Sequence, residues 1–522
     1  MIITSPHAPV EIPETTLYDH LFATLSTEDS ARPALVEGET GRTVSYGELR
    51  AQVDGFAGAL AARGIGPGDV VAVQMPNRPE FVSVFHGILR SGAAATTINS
   101  LYTAEEVARQ LQASRASLLV TVSALSSTSV TGAEQAGLTQ DQVIMVDDDG
   151  VHPTLATLLS EGRAAPEVSV DPAEDVAVLP YSSGTTGNPK GVRLTHRNLV
   201  ANLCQVQDLL PAIAGDTVQG VLPMFHIYGM TMLMNFSLHH RATLVTMASF
   251  DLGEFLRIIA EHRIRLSFIA PPVAVALAKH PMVDEFDLSS LEVMLSGAAP
   301  LDEVTAKTVA ERIDCDLRQG YGMTELSPVS HLAPAGGEDP LGSVGPGIPN
   351  TESLVVDPAD GTPVDIPADG ESAPGELWVR GPMVMKGYLD DQQATEATLT
   401  EDGFLRTGDI VTHHAGGWFT VVDRVKELIK YKGYQVAPAE LESLLLEHDQ
   451  IADAAVIGVK DAEAGEIPKA YVVPSADATL TTEDVIAHVA GRVGAHKKIR
   501  AVEFIEQVPK SSSGKILRRQ LR

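Results

Sequence analysis

Between Tyr181 and Val192 the chain reads YSSGTTGNPKGV, a run of glycines and small hydroxylated residues leading to Lys190. Such a stretch lets backbone N–H groups and hydroxyls come close to phosphate oxygens, and the lysine adds a point charge. By composition alone it reads equally as an ordinary flexible loop. It is not a phosphate loop of the G-x-x-x-x-G-K-[ST] type, a pattern that occurs nowhere in the chain. SSSGKIL near the C-terminus does not qualify either, because Pro509 stands where the first glycine would be and Ile516 follows the lysine. Other residues carry a bland reading beside a chemical one. Glu325, in GMTE, is by itself a helix-start carboxylate favoured by the dipole. Asp409, in RTGD, is a turn residue, and Lys515 with the RRQLR that ends the chain is a solvated basic tail. His226, flanked by Phe225 and Tyr228 in an apolar run, reads as a satisfied core histidine. His413 and His414 read as exposed loop residues without a role. The histidine spacings do not suit zinc, and Cys204 and Cys315 alone cannot form a structural zinc site or a disulfide framework.

The elements that must position these residues alternate. Up to about residue 170, helix-like text such as YGELRAQVDGFAGALAARG is interleaved with short apolar runs such as VVAVQM and SLLVTV. The same rhythm returns from Val176 to about Leu332, in ATLVTM, RLSFIAP and LEVMLSGAAP. This is α/β text, predicting parallel sheets covered by helices. From Pro334 to Gly381 the chain turns dense in Gly and Pro with short strands, predicting a small β-rich subdomain. After DRVKELIK come a helix (APAELESLLLEH), two strands (ADAAVIGV, KAYVVP), a helix (TEDVIAHVAGRV) and a strand (AVEFIEQVP). Residues 426–522 therefore read as a compact α+β domain after a large N-terminal domain of residues 1–425.

The chain is 522 residues long, 44% hydrophobic and 20% charged, which excludes fibrous and disordered classes. No apolar run is long enough for a membrane span. The opening residues lack the basic and apolar regions of a secretory signal, so a reducing cytoplasm is the expected setting. A net charge of −30 argues against nucleic acid as a partner. Any phosphate ligand must then be attracted locally, by lysines, helix N-termini or Mg²⁺.

SSGTTGNPKG, QGYGMTE, RTGD, DRVKELIKYKGYQVAPAELE and PKSSSGK, in that order, resemble the motifs of the adenylate-forming superfamily of acyl-CoA synthetases, peptide-synthetase adenylation domains and beetle luciferases. Within it, LPMFHIYG, SGAAPL, GYGMTELSP and IKYKGYQVAPAELE are most similar to 4-coumarate:CoA ligases and bacterial cinnamate:CoA ligase-like enzymes. The resemblance implies an acetyl-CoA synthetase-like fold with a mobile C-terminal domain. It implies attack of a carboxylate on the α-phosphate of MgATP to give an acyl-adenylate, then displacement of AMP by the thiol of coenzyme A.

Carried onto this sequence, the resemblance puts Ser182, Ser183, Gly184, Thr185, Thr186 and Lys190 around the β- and γ-phosphates. Thr324 lies at the α-phosphate and Glu325 on Mg²⁺. Gln319 and Gly320 lie on the adenine side, with Asp409 and Arg424 near the ribose. Lys515 is implied as the adenylation lysine, Lys430 and Gln435 as neighbours of the acyl-adenylate, Lys432 and Gly433 as coenzyme A contacts, and Lys426 as the hinge. His226 would gate the acyl pocket, which is drawn from Tyr228, Met232, Phe268, Ala298, Gly320, Gly322, Pro328, Val329 and Leu332. That lining favours a flat aromatic or an aliphatic acid and disfavours a second carboxylate. Thr231 and Met232 stand where the plant enzymes have Asn and Ser, and Leu295 replaces a Lys, which weakens recognition of a ring hydroxyl. Ser249 takes the place of a lysine that contacts coenzyme A. Cinnamate, 4-coumarate and medium-chain fatty acids are the candidate acids, with carrier-protein loading as the alternative to coenzyme A. PKSSSGK also resembles the sites at which lysine acetyltransferases silence such synthetases, which would make Lys515 a modification site.

Overall fold

The computed structural model describes residues 1–182, 189–432, 434–461, 463–476, 478–511 and 514–522, with Gln435 described in its backbone only. Among these residues the large N-terminal part holds two eight-stranded sheets and a five-stranded one.

The first eight-stranded sheet runs Gly387–Tyr388, Lys190–Thr195, Val176–Val178, Ala94–Thr97, Val70–Gln74, Leu118–Thr121 and Val143–Met145, with Tyr181–Ser182 paired onto Lys190–Thr195. From Val176–Val178 to Val143–Met145 its strands are parallel, and Val70–Gln74 and Leu118–Thr121 are buried almost along their length, which is why VVAVQ and LLVT read as apolar runs rather than alternating ones. The second runs Val329–Leu332, Asp316–Gly322, Val293–Ser296, Leu266–Ile269, Thr217–Gly220, Thr243–Thr246, Pro33–Glu37 and Thr43–Ser45. Capping boxes start several of the covering helices: Ser45 with Glu48, Thr103 with Glu106 and Thr195 with Asn198.

The β-rich subdomain is larger than expected. Its antiparallel sheet joins Ile3–Thr4, Glu352–Val356, Gly375–Arg380, Leu405–His413 and Phe419–Arg424, so it recruits the N-terminus and continues well beyond Gly381. His413 belongs to this sheet and is buried against Phe419, which corrects the reading of it as an exposed loop residue. His414 stacks on Trp418.

The small C-terminal part has its own sheet, Tyr434–Val436, Ile429–Tyr431, Gly465–Pro474 and Ile451–Asp461, with Ala501–Phe504 added in parallel. Helices Pro438–Leu446 and Thr482–Ala490 pack on it. Its core, from Ile429 to Ile499, is separate from the large core that ends at Phe419. The small cluster of Ile410, Leu428 and Ala437 lies across the gap between them.

Candidate active site

The phosphate-type residues converge at the join between the first sheet and the end of the second. Tyr181–Ser182 and Lys190–Thr195 pair antiparallel with Ser182 opposite Lys190, which brings the two flanks of the glycine-rich stretch together. Ser183, Gly184, Thr185 and Thr186 lie outside the described residues. Ser182 Oγ donates to Glu325 Oε1 at 3.0 Å, and the Tyr388 hydroxyl donates to the same oxygen at 2.9 Å. Lys190 Nζ lies 5.0 Å from the centre of the Tyr388 ring and 3.6 Å from Asp391. Thr324 and Glu325 are buried on the turn Thr324–Leu326, and Met385 N donates to the Glu325 carbonyl. Burial and then the Glu325 charge push the Tyr388 phenol above its ordinary range.

A second cluster joins the last strands of two sheets. Asp409 and Arg424 are cross-strand partners, with Arg424 Nε 3.1 Å from Asp409 Oδ1. The hydroxyl of Tyr321, between Gly320 and Gly322, donates to Asp409 Oδ2 at 2.6 Å. Burial and then the charge of Asp409 push this phenol well above the ordinary range, so Tyr321 remains a donor. Gly322 can carry no side chain, since a Cβ there would lie 2.1 Å from the Pro328 carbonyl oxygen. Gln319 is occupied: its buried amide accepts from Leu301 N and donates to the carbonyls of Leu301 and Leu341. What this position can offer a nucleotide is therefore backbone.

Lys515 reaches these clusters from the far end of the chain. Gly514, in the left-handed region, packs on Pro272 and Ala270 at the start of helix Pro271–Lys279. Burial pulls the Lys515 ammonium down to about 8, reinforced by Arg424 and opposed by Asp409, Glu325 and Glu427. His226 feels the same lysine: burial first, then the Lys515 charge, lower it to about 4. Its Nδ1 accepts from Tyr228 N at 3.3 Å, and Met230 N donates to its carbonyl at the head of a π-helical turn, Gly229–Asn235. Gly229 is required there, because a Cβ would lie 2.2 Å from the Pro223 carbonyl oxygen.

The expected acyl-pocket residues divide. Tyr228 donates to the Leu295 carbonyl at 3.2 Å, its ring 2.9 Å from where a Cβ on Gly297 would sit. A Cβ on Gly320 would lie 3.1 Å from Leu332. Ala298 is exposed with φ +73°. Met232 and Phe268 are wholly buried, Phe268 edge-on to Phe236, and Pro328 and Val329 are buried where the strand Val329–Leu332 begins. Lys430 and Lys432 are exposed, and Lys426 sits on the turn between the two domains. Gln435 pairs in register with Lys430, and Gly433 is outside the described residues.

Tyr321, Tyr388 and Asp391 were not singled out by sequence reasoning. Tyr321 lay inside a quoted motif, but nothing in the spacing of MKGYLDD marks Tyr388 or Asp391. Among the described residues no group of three or more His, Cys, Asp or Glu could hold a metal. Glu325, a single buried carboxylate beside Thr324, fits a Mg²⁺ that draws its other ligands from water and substrate oxygens. Among the described residues no helix is long and apolar enough to cross a membrane.

The family profile described as AMP-binding enzyme matches residues 22–389, and that described as AMP-binding enzyme C-terminal domain matches residues 440–515. The chain is 39% identical to 4-coumarate--CoA ligase 1 of Solanum tuberosum, covering 100% of this chain and 96% of that one. It is 40% identical to 4-coumarate--CoA ligase 2 of Nicotiana tabacum, covering 97% and 94%. Among solved structures it resembles ATP-bound MatB from Rhodopseudomonas palustris, with TM-score 0.88, 27% identity and 98% of both chains covered. It also resembles a benzoate CoA ligase from Burkholderia xenovorans LB400, with TM-score 0.86, 25% identity and 97% and 100% covered. Two profile matches in tandem and relatives alike over the full length, on a site that gathers Ser182, Lys190, Glu325, Asp409 and Lys515, show that the chain belongs to the adenylate-forming AMP-binding enzyme family.

Proposed function

We propose that the protein is an ATP-dependent carboxylic acid:CoA ligase acting on 4-coumarate or a cinnamate-like aromatic acid. The observation that carries this reading is the convergence of Ser182 and Tyr388 on Glu325, with Lys190 against the Tyr388 ring and the Asp409–Arg424 pair close in the same fold, while the half-buried Lys515 is brought in from the C-terminal end. The names of the full-length relatives support the acid and the thiol acceptor.

In the first step a carboxylate oxygen attacks the α-phosphorus of ATP, a P–O bond forms and pyrophosphate leaves. Both reactants are anions and the nucleophile is weak, so catalysis is alignment and charge neutralisation. Lys515 holds the acid carboxylate and α-phosphate together. Ser182, Ser183, Gly184, Thr185, Thr186 and Lys190 bind the β- and γ-phosphates, with Thr324 at the α-phosphate. Asp409 and Arg424 hold the ribose, and Gln319 and Gly320 present backbone to the adenine. Glu325 would hold Mg²⁺, which when bound neutralises phosphate charge.

In the second step the coenzyme A sulfur attacks the acyl carbon, the C–O bond to AMP breaks and the thioester forms. Lys430, Gln435, Lys432 and Gly433 serve this step after rotation about Lys426, and their exposure in the present orientation supports that division for Lys430 and Lys432. His226 stays neutral at physiological pH and gates the thiol's approach. A cytoplasmic setting is in keeping with the two free cysteines, and acetylation of Lys515 by a lysine acetyltransferase would require the loop to leave the site first.

The test is mass-spectrometric product analysis with MgATP, coenzyme A and a pool of cinnamate, 4-coumarate, benzoate and C6 to C12 fatty acids. Cinnamoyl- or coumaroyl-CoA with AMP is expected, and Lys515→Ala should lose adenylate formation yet still convert supplied acyl-adenylate to thioester. A fatty acyl-CoA as main product would overturn the acid, and adenylate without thioester would overturn coenzyme A as acceptor in favour of a carrier protein.

A further inference from the structure

We propose that Tyr388 is a positioning residue for the phosphate chemistry: its hydroxyl orients the Glu325 carboxylate toward the metal while its ring seats the Lys190 ammonium. This rests on the reading of Glu325 and Lys190 given above.

The backbone forces the arrangement. Gly387–Tyr388 pairs antiparallel with Lys190–Thr195, Tyr388 directly opposite Val192. Opposite residues share a face, and Val192 shares its face with Lys190 two positions earlier. Tyr388 is therefore the diagonal neighbour of Lys190, and its ring lies 5.0 Å from Nζ, within the range of a cation–π contact. The same segment is tied to the turn that carries Glu325. Met385 N donates to the Glu325 carbonyl at 2.9 Å, and Ser327 Oγ donates to the Met383 carbonyl at 2.8 Å. Beyond the tyrosine, Leu389 N donates to the Gly191 carbonyl at 2.8 Å.

The tyrosine has little freedom between these ties. Gly387, at φ +133°, can bear no side chain, since a Cβ would come within 2.8 Å of Thr395 Cγ2, and Tyr388 N donates to Thr395 Oγ1 at 2.9 Å. The ring is buried. Its hydroxyl and that of Ser182 both donate to Glu325 Oε1, so it is Oε2 that would be turned to a cation. One side chain thus sets the spacing between the lysine that meets the outer phosphates and the carboxylate that meets the metal.

Tyr388→Phe removes the hydroxyl and keeps the ring, and Tyr388→Leu removes both. ATP affinity is measured by calorimetry with and without Mg²⁺, alongside the Mg²⁺ dependence of pyrophosphate release. Loss of a hydrogen bond to a charged group predicts for Tyr388→Phe a roughly ten-fold weaker MgATP affinity. Its ATP affinity without Mg²⁺ should stay within about two-fold of the parent, and its kcat should be largely recovered at saturating Mg²⁺. Tyr388→Leu should weaken ATP binding in both conditions. An unchanged Mg²⁺ dependence in Tyr388→Phe, or a loss of kcat that Mg²⁺ does not restore, would overturn the proposal. Glu325→Gln separates the two levels. If it abolishes the Mg²⁺ effect while Tyr388→Phe does not shift it, only the role of Tyr388 fails; if it leaves the Mg²⁺ effect intact, the assignment of Glu325 fails with it. Should the leucine variant not fold, the phenylalanine variant, which keeps the ring's packing, still decides the case.

Discussion

Asp409 is gripped by two donors of different kinds, the neutral phenol of Tyr321 on one oxygen and the Arg424 guanidinium on the other. Both oxygens are thereby held, and the carboxylate cannot rotate away from the ribose proposed for it without breaking one of the bonds. Tyr321→Phe keeps the ring beside His331 and removes only the bond to Asp409. The expected result is a roughly ten-fold rise in KM for ATP, as for loss of a hydrogen bond to a charge, with kcat nearly unchanged. Steady-state kinetics with ATP varied at saturating acid would check it, and an equal fall in kcat would instead mean that Tyr321 acts in the chemical step.

The loop that delivers Lys515 is anchored on both sides. Before it, Lys510 pairs with Asp453 at 2.6 Å and bridges to Ile516. After it, Arg518 at the start of the turn Arg518–Leu521 bonds both oxygens of Glu442 at 2.8 and 2.7 Å and reaches the Val456 carbonyl. Glu442 lies on helix Pro438–Leu446 and accepts from Val456 N, and burial first raises its carboxyl to about 7 against the pull of Arg518. The Tyr471 hydroxyl holds the Leu521 carbonyl at 2.7 Å. The C-terminal element is thus a clip on the small domain's own core. Arg518→Gln leaves a buried carboxylate without its partner, and should cost about 3 kcal/mol in the small domain. Hydrogen exchange should show faster opening of the strands Ile451–Asp461 and Gly465–Pro474. Adenylate formation should fall more than the thioester step, because only the former is proposed to use Lys515.

At the scale of the whole molecule, the large core contains histidines buried in the neutral form. Burial lowers His86 and His331 to about 3 and His196 to about 4. His331 is closed in by the Ser330 and Ser353 hydroxyls and the rings of Tyr321 and Phe419. The unfolded chain takes up these protons near pH 6.5 while the folded chain does not. Stability contributed by the neutral form is therefore complete above about pH 6.5 and declines as pH falls toward the folded values. At pH 5 the loss is on the order of 1–2 kcal/mol per histidine. Urea midpoints measured from pH 8 to pH 5 should fall steadily, and a flat profile would show that these sites protonate equally in both states. The two separate cores also predict that the large and small domains unfold as distinct cooperative units, which the same titrations would display as two transitions.

Much of this protein was legible in its residues. Apolar runs such as VVAVQ predicted parallel buried strands because helices cover both faces and no solvent face needs a polar residue. The order of helices and strands from Pro438 onward followed from periodicity, whereas the short strands Ile429–Tyr431 and Tyr434–Val436 before it were missed, and the motif residues Ser182, Lys190, Glu325, Asp409 and Lys515 were named through the resemblance of their motifs. Tertiary structure decided what met what. Tyr388 shares no spacing with Glu325 or Lys190, and only the antiparallel register of a two-residue strand brings it under one and beside the other. Gln319 sits in a recognisable motif, yet its amide is spent on the backbone of Leu301 and Leu341, which sequence neighbours do not reveal. His413 read as an exposed loop residue, but it is the last residue of the strand Leu405–His413 and is buried on Phe419. A sequence determines which groups are available and what local shape the chain takes around them. Contacts between strands and turns far apart in the chain depend on register and on the docking of one domain against another, which no local pattern encodes.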